Sequence, residues 1–214
     1  MFLVYVAVIA SAWGIRQAGG LDLEEFFSLV GEYPVFAPVL FVIVYALLVA
    51  LLIPTLPVNL AAGVLWGGLW GGVLATLGSA LGAALAFQLS RSSVGKPFAK
   101  KYDNGLLKWI MRQIDENPWK VVAFVRLNPA FPSGPVNFIF GLTSINFATY
   151  SYSTLLFLFP PSLGVALIGS EAGNILLQGE ALDLFRILSM TLVGMLILLV
   201  GYWSGKSLLK KKQA

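Results

Sequence analysis

From Val35 to Ser90 the chain runs for 56 residues without an Asp, Glu, Lys or Arg. One helix of that length would be about 84 Å long, against a hydrocarbon core of roughly 30 Å. The run is therefore too long for a single crossing and must break. The breakers sit near its middle, in "IPTLPVNLAAGVLWGGLWGG" at residues 53–72. A second block, Val121–Ser170, has the same character. Its only charge is Arg126, and it is broken by "LNPAFPSGPVNFIFG" at 127–141 and again by Pro160-Pro161. Proline removes a helical hydrogen bond and clashes with the preceding turn. Irregular backbone at membrane depth is tolerated only where protein or a wet cavity covers it.

With 58% hydrophobic and 11% charged residues, the chain reads as a one-domain, all-α, multi-pass membrane protein. The absence of Cys excludes thiolate and Fe–S chemistry, and the absence of His removes the commonest general base and metal ligand. No carboxylate pair lies at short spacing inside the apolar blocks. We therefore expect no enzyme, no metal and no cofactor. The net charge of +4 comes mostly from two clusters that bear on topology, not on nucleic acid.

Three regions follow. Residues 1–34 hold an apolar run, Met1–Trp13, expected as a retained membrane helix ending near Arg16, and an acidic amphipathic segment from Gly19 to Pro34. Residues 35–170 form the core, with re-entrant hairpins at about 50–72 and 121–141. Residues 171–214 hold a transmembrane helix over Ile187–Ser204 and a lysine-rich tail. A basic interfacial helix is expected from about Asn104 to Glu116.

The 91–120 loop and the tail carry eleven of the fourteen Lys and Arg residues, so both are expected in the cytoplasm, with 19–34 and 171–186 on the other side. Each apolar block then crosses an odd number of times, in opposite senses. One re-entrant hairpin plus one span per block satisfies this. The break points also match: Pro54-x-x-Pro57-x-Asn59-x-x-x-Gly63, and Pro129-x-x-Pro132-x-x-x-x-Asn137-x-x-x-Gly141. Together these features predict an inverted-topology repeat with two opposed re-entrant hairpins plus transmembrane helices, the arrangement that places a transport site near the midplane.

The segment "FVRLNPAFPSGPVNFIFGLTSINFATY", 124–150, resembles the signature of the DedA superfamily, also called the VTT or SNARE-associated Golgi protein domain. "AAGVLWGGLWGGVLATLGSALGAALAFQLSR", 61–91, is similar to that family's glycine-rich hairpin and following helix. The resemblance implies two re-entrant hairpins within a helical bundle. It further implies translocation of phospholipid or polyprenyl-phosphate lipids, by scrambling or transport, in a bacterial or cyanobacterial plasma membrane. Many bacterial members carry acidic residues at the first hairpin. Here none lies between Glu32 and Asp103, so the chain resembles the branch without them, and proton coupling through such a carboxylate is not expected.

Candidate roles follow residue by residue. Arg126, in an apolar segment, suits a bidentate phosphate contact; snorkelling to the headgroups is the competing reading. Asn137, Asn59 and Arg91 are further substrate-binding candidates, and Glu171 is a proton-coupling candidate. Pro54, Pro57, Pro129, Pro132 and Pro135 end the half-helices. Gly63, Gly67, Gly71 and Gly141 are read as hairpin positions, with Gly67-x-x-x-Gly71 as close helix packing. The leading functional expectation is a lipid transporter or scramblase whose partners are lipid headgroups, with the oligomeric state open. A small-ion or solute transporter and a non-transporting membrane-homeostasis factor are the alternatives.

Overall fold

The computed structural model describes residues 28, 30–94, 113–128, 131–178 and 192. The expected N-terminal helix, most of the acidic segment, the 95–112 part of the basic loop and all but Leu192 of the 187–204 span lie outside them. Among the described residues the principal elements are five helices: α1 (Phe36–Ala50), α2 (Leu56–Val94), α3 (Pro118–Leu127), α4 (Ser133–Gly141) and α5 (Phe147–Gln178).

Each break has a local cause. After α1, the amide of Ile53 donates to the Leu48 carbonyl at 3.0 Å, while Leu52 takes a left-handed φ of 63°. This is the bonding of a Schellman stop, with leucine where glycine is usual. Pro54 then disfavours helix for Ile53. Pro57 and Pro135 fall in the first turns of α2 and α4, where a missing N–H removes no intrahelical bond. Asn146 caps α5, its Oδ1 accepting from the Ala148 amide at 2.8 Å.

α2 contains one non-helical residue, Gly67, at φ 75° and ψ 170°. The chain folds back there. A Cβ placed on Gly71 would collide with the carbonyl of Ala62 and lie 2.8 Å from the nitrogen of Gly63. In a straight helix residues nine apart stand about 13 Å apart. Gly67 is thus a turn and not the packing glycine expected of it: nothing lies within 4 Å of a Cβ placed there. A second correction concerns Pro160-Pro161, which lie inside a continuous α5.

The most extensive packing is between α2 and α5, which run antiparallel. Gly72 faces Leu163 and Gly68 faces Leu167; at the other end Phe87 stacks on Tyr150 at 4.3 Å. Two buried clusters flank this pair. One joins Tyr45, Val49, Ala62 and Ala75. The other joins Ala83, Phe87, Ile114, Val122, Phe140 and Tyr150, among others. Ile114 belongs to the helical turn 113–116, the described end of the expected basic helix. Among the described residues, two helical stretches, Leu56–Ser93 (which includes the fold-back at Gly67) and Phe147–Ile175, are long and apolar enough to cross a membrane.

Candidate functional site

The short helix after each break carries a glycine set into the backbone of a long helix. A Cβ on Gly63 would collide with the carbonyl of Ala166 in α5; one on Gly141 would collide with the carbonyl of Phe87 in α2. Three residues beyond each contact the long helix touches the short one again. Ser90 Oγ donates to the Phe138 carbonyl at 2.8 Å, and Gly169 abuts the Leu60 carbonyl. The contacts are reciprocal, and they pair Gly63 with Gly141 and Leu60 with Phe138. Counting back without a gap, Pro54 pairs with Pro132, Pro57 with Pro135, Val58 with Val136 and Asn59 with Asn137. "PTLPVNLAAG" (54–63) and "PSGPVNFIFG" (132–141) are identical at five of ten positions. The pairing of Pro54 with Pro129 and Pro57 with Pro132 needed a gap and hid this match. The ungapped comparison could have found it in the sequence.

Arg126 occupies the last turn of α3 and is 7% exposed. Its Nη2 donates to Asn137 Oδ1 at 2.7 Å, to Tyr150 Oη at 2.8 Å and to Thr154 Oγ1 at 3.3 Å. The Tyr150 hydroxyl also lies 3.1 Å from Asn137 Oδ1 and 3.4 Å from the Ala83 carbonyl. One guanidinium thus joins α3 to α4 and α5, and Tyr150 carries the link to α2. Arg126 Nε and Asn137 Nδ2 are buried without a hydrogen-bond partner among the described residues. A buried donor in that state is costly, and two of them stand within one cluster. Tyr150 and Thr154 were not singled out as site residues. Tyr150 closes the Phe147-x-x-Tyr150 end of the 124–150 segment that carries the family resemblance; the sequence signal for Thr154 is helical spacing, since residues four apart share a helix face.

The other candidates lie elsewhere. Arg91, half-buried near the end of α2, donates through Nε to the Gly141 carbonyl at 3.1 Å. Its Nη2 donates to the carbonyls of Thr143 and Ile145 at 2.7 and 2.8 Å. Its guanidinium carbon lies 4.3 Å from the centre of the Phe87 ring. It therefore caps α4 and ties down the 142–146 connection. Asn59 is buried, with Oδ1 lacking a partner among the described residues. Glu171 is 17 residues beyond Thr154 along α5, about 26 Å of helix. Pro132 caps α4, and Pro129 lies outside the described residues.

The two breaks meet. Leu52, between α1 and α2, packs against Gly134, with its Cβ 3.8 Å from a Cβ placed on that glycine. Two apolar grooves of about 450 and 480 Å³ run beside α2, one towards α1 and one towards α5, and neither is lined by Arg126, Asn137 or Asn59.

A family model described as the VTT domain matches residues 53–171. That stretch runs from the first break to Glu171 in α5 and includes both proline-marked breaks, α4, Arg91 and the whole Arg126 cluster. The search of curated proteins and that of solved structures returned no match.

Proposed function

The chain belongs to the VTT domain family, the DedA superfamily of membrane proteins, and on that premise we propose that it moves phosphate-bearing lipids across the bilayer. The tail of the lipid stays in the membrane, and its phosphate passes the buried guanidinium of Arg126. Asn137 belongs to the same polar cluster. Asn59 is the matching amide of the opposite half, its N–H groups the ones that would donate to a phosphate, and Arg91 meets headgroups at the cytoplasmic end.

The observation that carries this reading is Arg126 itself. It is a buried cation in an apolar segment, the three oxygens around its Nη2 carry no charge, and its own Nε and Asn137 Nδ2 are buried without a partner among the described residues. A guanidinium in such a place is functional by default, and its fork suits phosphate.

The contacts of the breaks support two re-entrant hairpins in an inverted repeat. Ala46 and Val49, near the end of α1, pack on Gly82. Along α2 that glycine lies about 21 Å from Gly68 and about 14 Å from Arg91. A break at that level, reached from the Gly67 end, corresponds to half a crossing. In the other half, Arg91 bonds the carbonyls of Gly141, Thr143 and Ile145, so α4 returns to the Arg91 end. The two halves enter from opposite sides, and their breaks touch at Leu52 and Gly134. This is the construction of transporters that bind substrate at the midplane.

The test is lipid movement in proteoliposomes carrying fluorescent phosphatidylglycerol, with wild-type chain, Arg126→Ala and Arg126→Lys. We expect loss of movement in the alanine variant and partial loss in the lysine variant, which keeps a charge without the fork. Wild-type rates in Arg126→Ala would remove Arg126 from the mechanism. Flux of a small ion or solute without lipid movement would replace the lipid reading with the solute transporter.

A further inference from the structure

We propose that Asn137, Tyr150 and Thr154 hold Arg126 in an occluded resting state by standing in for phosphate oxygens. A phosphate headgroup then binds by displacing them. The inference rests on the reading that Arg126 takes the headgroup, and it adds two residues and a direction of effect.

The first argument is stoichiometric. Three oxygens converge on Nη2, at 2.7, 2.8 and 3.3 Å. That nitrogen has two hydrogens. The acceptors outnumber the hydrogens they can share, so at any moment one of the three is held weakly.

The second argument is directional. Nε and Nη2 form the side-on edge of a guanidinium, the edge that grips two phosphate oxygens in parallel. Here the Nη2 end is occupied by side chains, and Nε is buried with no partner among the described residues. The fork is half used. Asn137 Nδ2, on the residue that accepts from Nη2, is a second unused donor. A phosphate could take Nε–H, one Nη2–H and the amide together.

The third argument concerns exchange. Amide and hydroxyl oxygens satisfy a guanidinium while leaving its charge uncompensated. A phosphate oxygen brings a negative charge of its own, and so a Coulomb attraction to the guanidinium that an amide or hydroxyl oxygen lacks, so an anionic headgroup can displace these acceptors. A carboxylate in their place would compete on equal terms. The holders also span the moving parts of the proposed cycle. Asn137 is on α4, and Tyr150 and Thr154 are on α5. The Tyr150 ring is stacked on Phe87 of α2 at 4.3 Å and 17°, which keeps its hydroxyl in place when the headgroup leaves.

The sign of the effect separates this proposal from simple positioning. If Tyr150 and Thr154 only oriented Arg126, deleting their oxygens would weaken headgroup binding. If they compete for it, deletion strengthens binding. The purified chain in detergent is titrated with dioctanoyl phosphatidate and, separately, with inorganic phosphate, reading its intrinsic tryptophan fluorescence. In Tyr150→Phe and Thr154→Val we expect the Kd for phosphatidate to fall about threefold to tenfold, the effect of one competing hydrogen bond removed. An equal fall for inorganic phosphate assigns the site to the phosphate group alone. A fall confined to phosphatidate assigns it to a lipid headgroup delivered with its chains. A Kd that rises or stays unchanged in Thr154→Val, the closer isostere, overturns the proposal whether or not Tyr150→Phe folds. Arg126→Ala reports on the underlying reading: wild-type affinity there means that Arg126 does not take the headgroup at all.

Discussion

Arg126 and Asn137 lie eleven residues apart in sequence and are joined by a 2.7 Å hydrogen bond from Nη2 to Oδ1. The bond closes the break between α3 and α4 into a loop fastened from within. Its counterpart in the other half is missing, because Asn59 Oδ1 has no partner among the described residues. The two paired asparagines therefore do different work.

That asymmetry predicts unequal costs. Asn137→Leu leaves a buried guanidinium short of its nearest acceptor. A bond to a charged group contributes about 1.5–3 kcal/mol in water-soluble proteins, and somewhat less within membranes. We expect Asn137→Leu to cost about 2 kcal/mol. Asn59→Leu deletes an oxygen that has no partner among the described residues and should cost about 1 kcal/mol or less. Unfolding in mixed micelles, followed by circular dichroism, gives both numbers. Equal losses would show that the Arg126 bond contributes no more than the burial of an amide.

The glycines separate two mechanisms of intolerance. Gly63→Ala and Gly141→Ala push a methyl into a backbone carbonyl, of Ala166 and Phe87 respectively. Overpacking of this kind costs about 1–3 kcal/mol. Gly67→Ala meets open space, yet φ 75° with ψ 170° is a region essentially reserved for glycine. Strain there costs about 1–3 kcal/mol as well. We expect all three to lower the unfolding midpoint. A small-to-large series should then diverge: larger side chains at Gly63 or Gly141 become worse, while at Gly67 size hardly matters beyond alanine.

Arg91 makes three bonds to carbonyls, at 2.7–3.1 Å, in the last residue of α4 and the connection after it. Arg91→Lys keeps the charge but loses the fork that reaches all three. The amides of Leu142 and Thr143, bonded to Ile139 and Phe140 at 3.0 and 3.1 Å, should then exchange hydrogen faster, by about tenfold for each 1.4 kcal/mol of clamp removed. Hydrogen exchange read by mass spectrometry on peptides covering 139–146 checks this. Unchanged exchange would mean that the connection is held by its own turn and not by Arg91.

How far the sequence led differs from one residue to the next. The charge-free run from Val35 forced a break, and its prolines located that break to within a few residues. Chain reversal at Gly67 was not legible, because a glycine in an apolar run with Gly-x-x-x-Gly spacing reads equally well as packing. Pro160-Pro161 misled for the opposite reason: a proline pair marks lost N–H groups, and α5 absorbs that loss without breaking. Arg126 stood out because a lone charge in an apolar block is costly. Its partners did not, since Tyr150 and Thr154 become polar neighbours only once α5 is laid against α3. The pairing of Asn59 with Asn137 and of Gly63 with Gly141 was legible in the sequence; the ungapped pairing of Pro54 with Pro132 and Pro57 with Pro135 was present there too. It was obscured by starting the second motif at Pro129, one proline too early.

The contact between Leu52 and Gly134 offers a direct test of whether the two breaks separate during transport. The Leu52 Cβ lies 3.8 Å from the Cβ position of residue 134, which is the mean Cβ separation of a disulfide. The chain has no native cysteine, so Leu52→Cys with Gly134→Cys introduces a single defined pair. On oxidation the two cysteines should cross-link across this contact. Leu52 Cδ2 stands 2.9 Å from the same Cβ position, and replacing leucine by cysteine removes that crowding. If lipid movement requires the breaks to part, the oxidised protein should be inactive and reduction should restore its rate. The single variants should respond to neither treatment. Full activity of the oxidised pair would show that the headgroup passes without separation of Leu52 from Gly134, and the moving element would then have to be sought at the 142–146 connection that Arg91 holds.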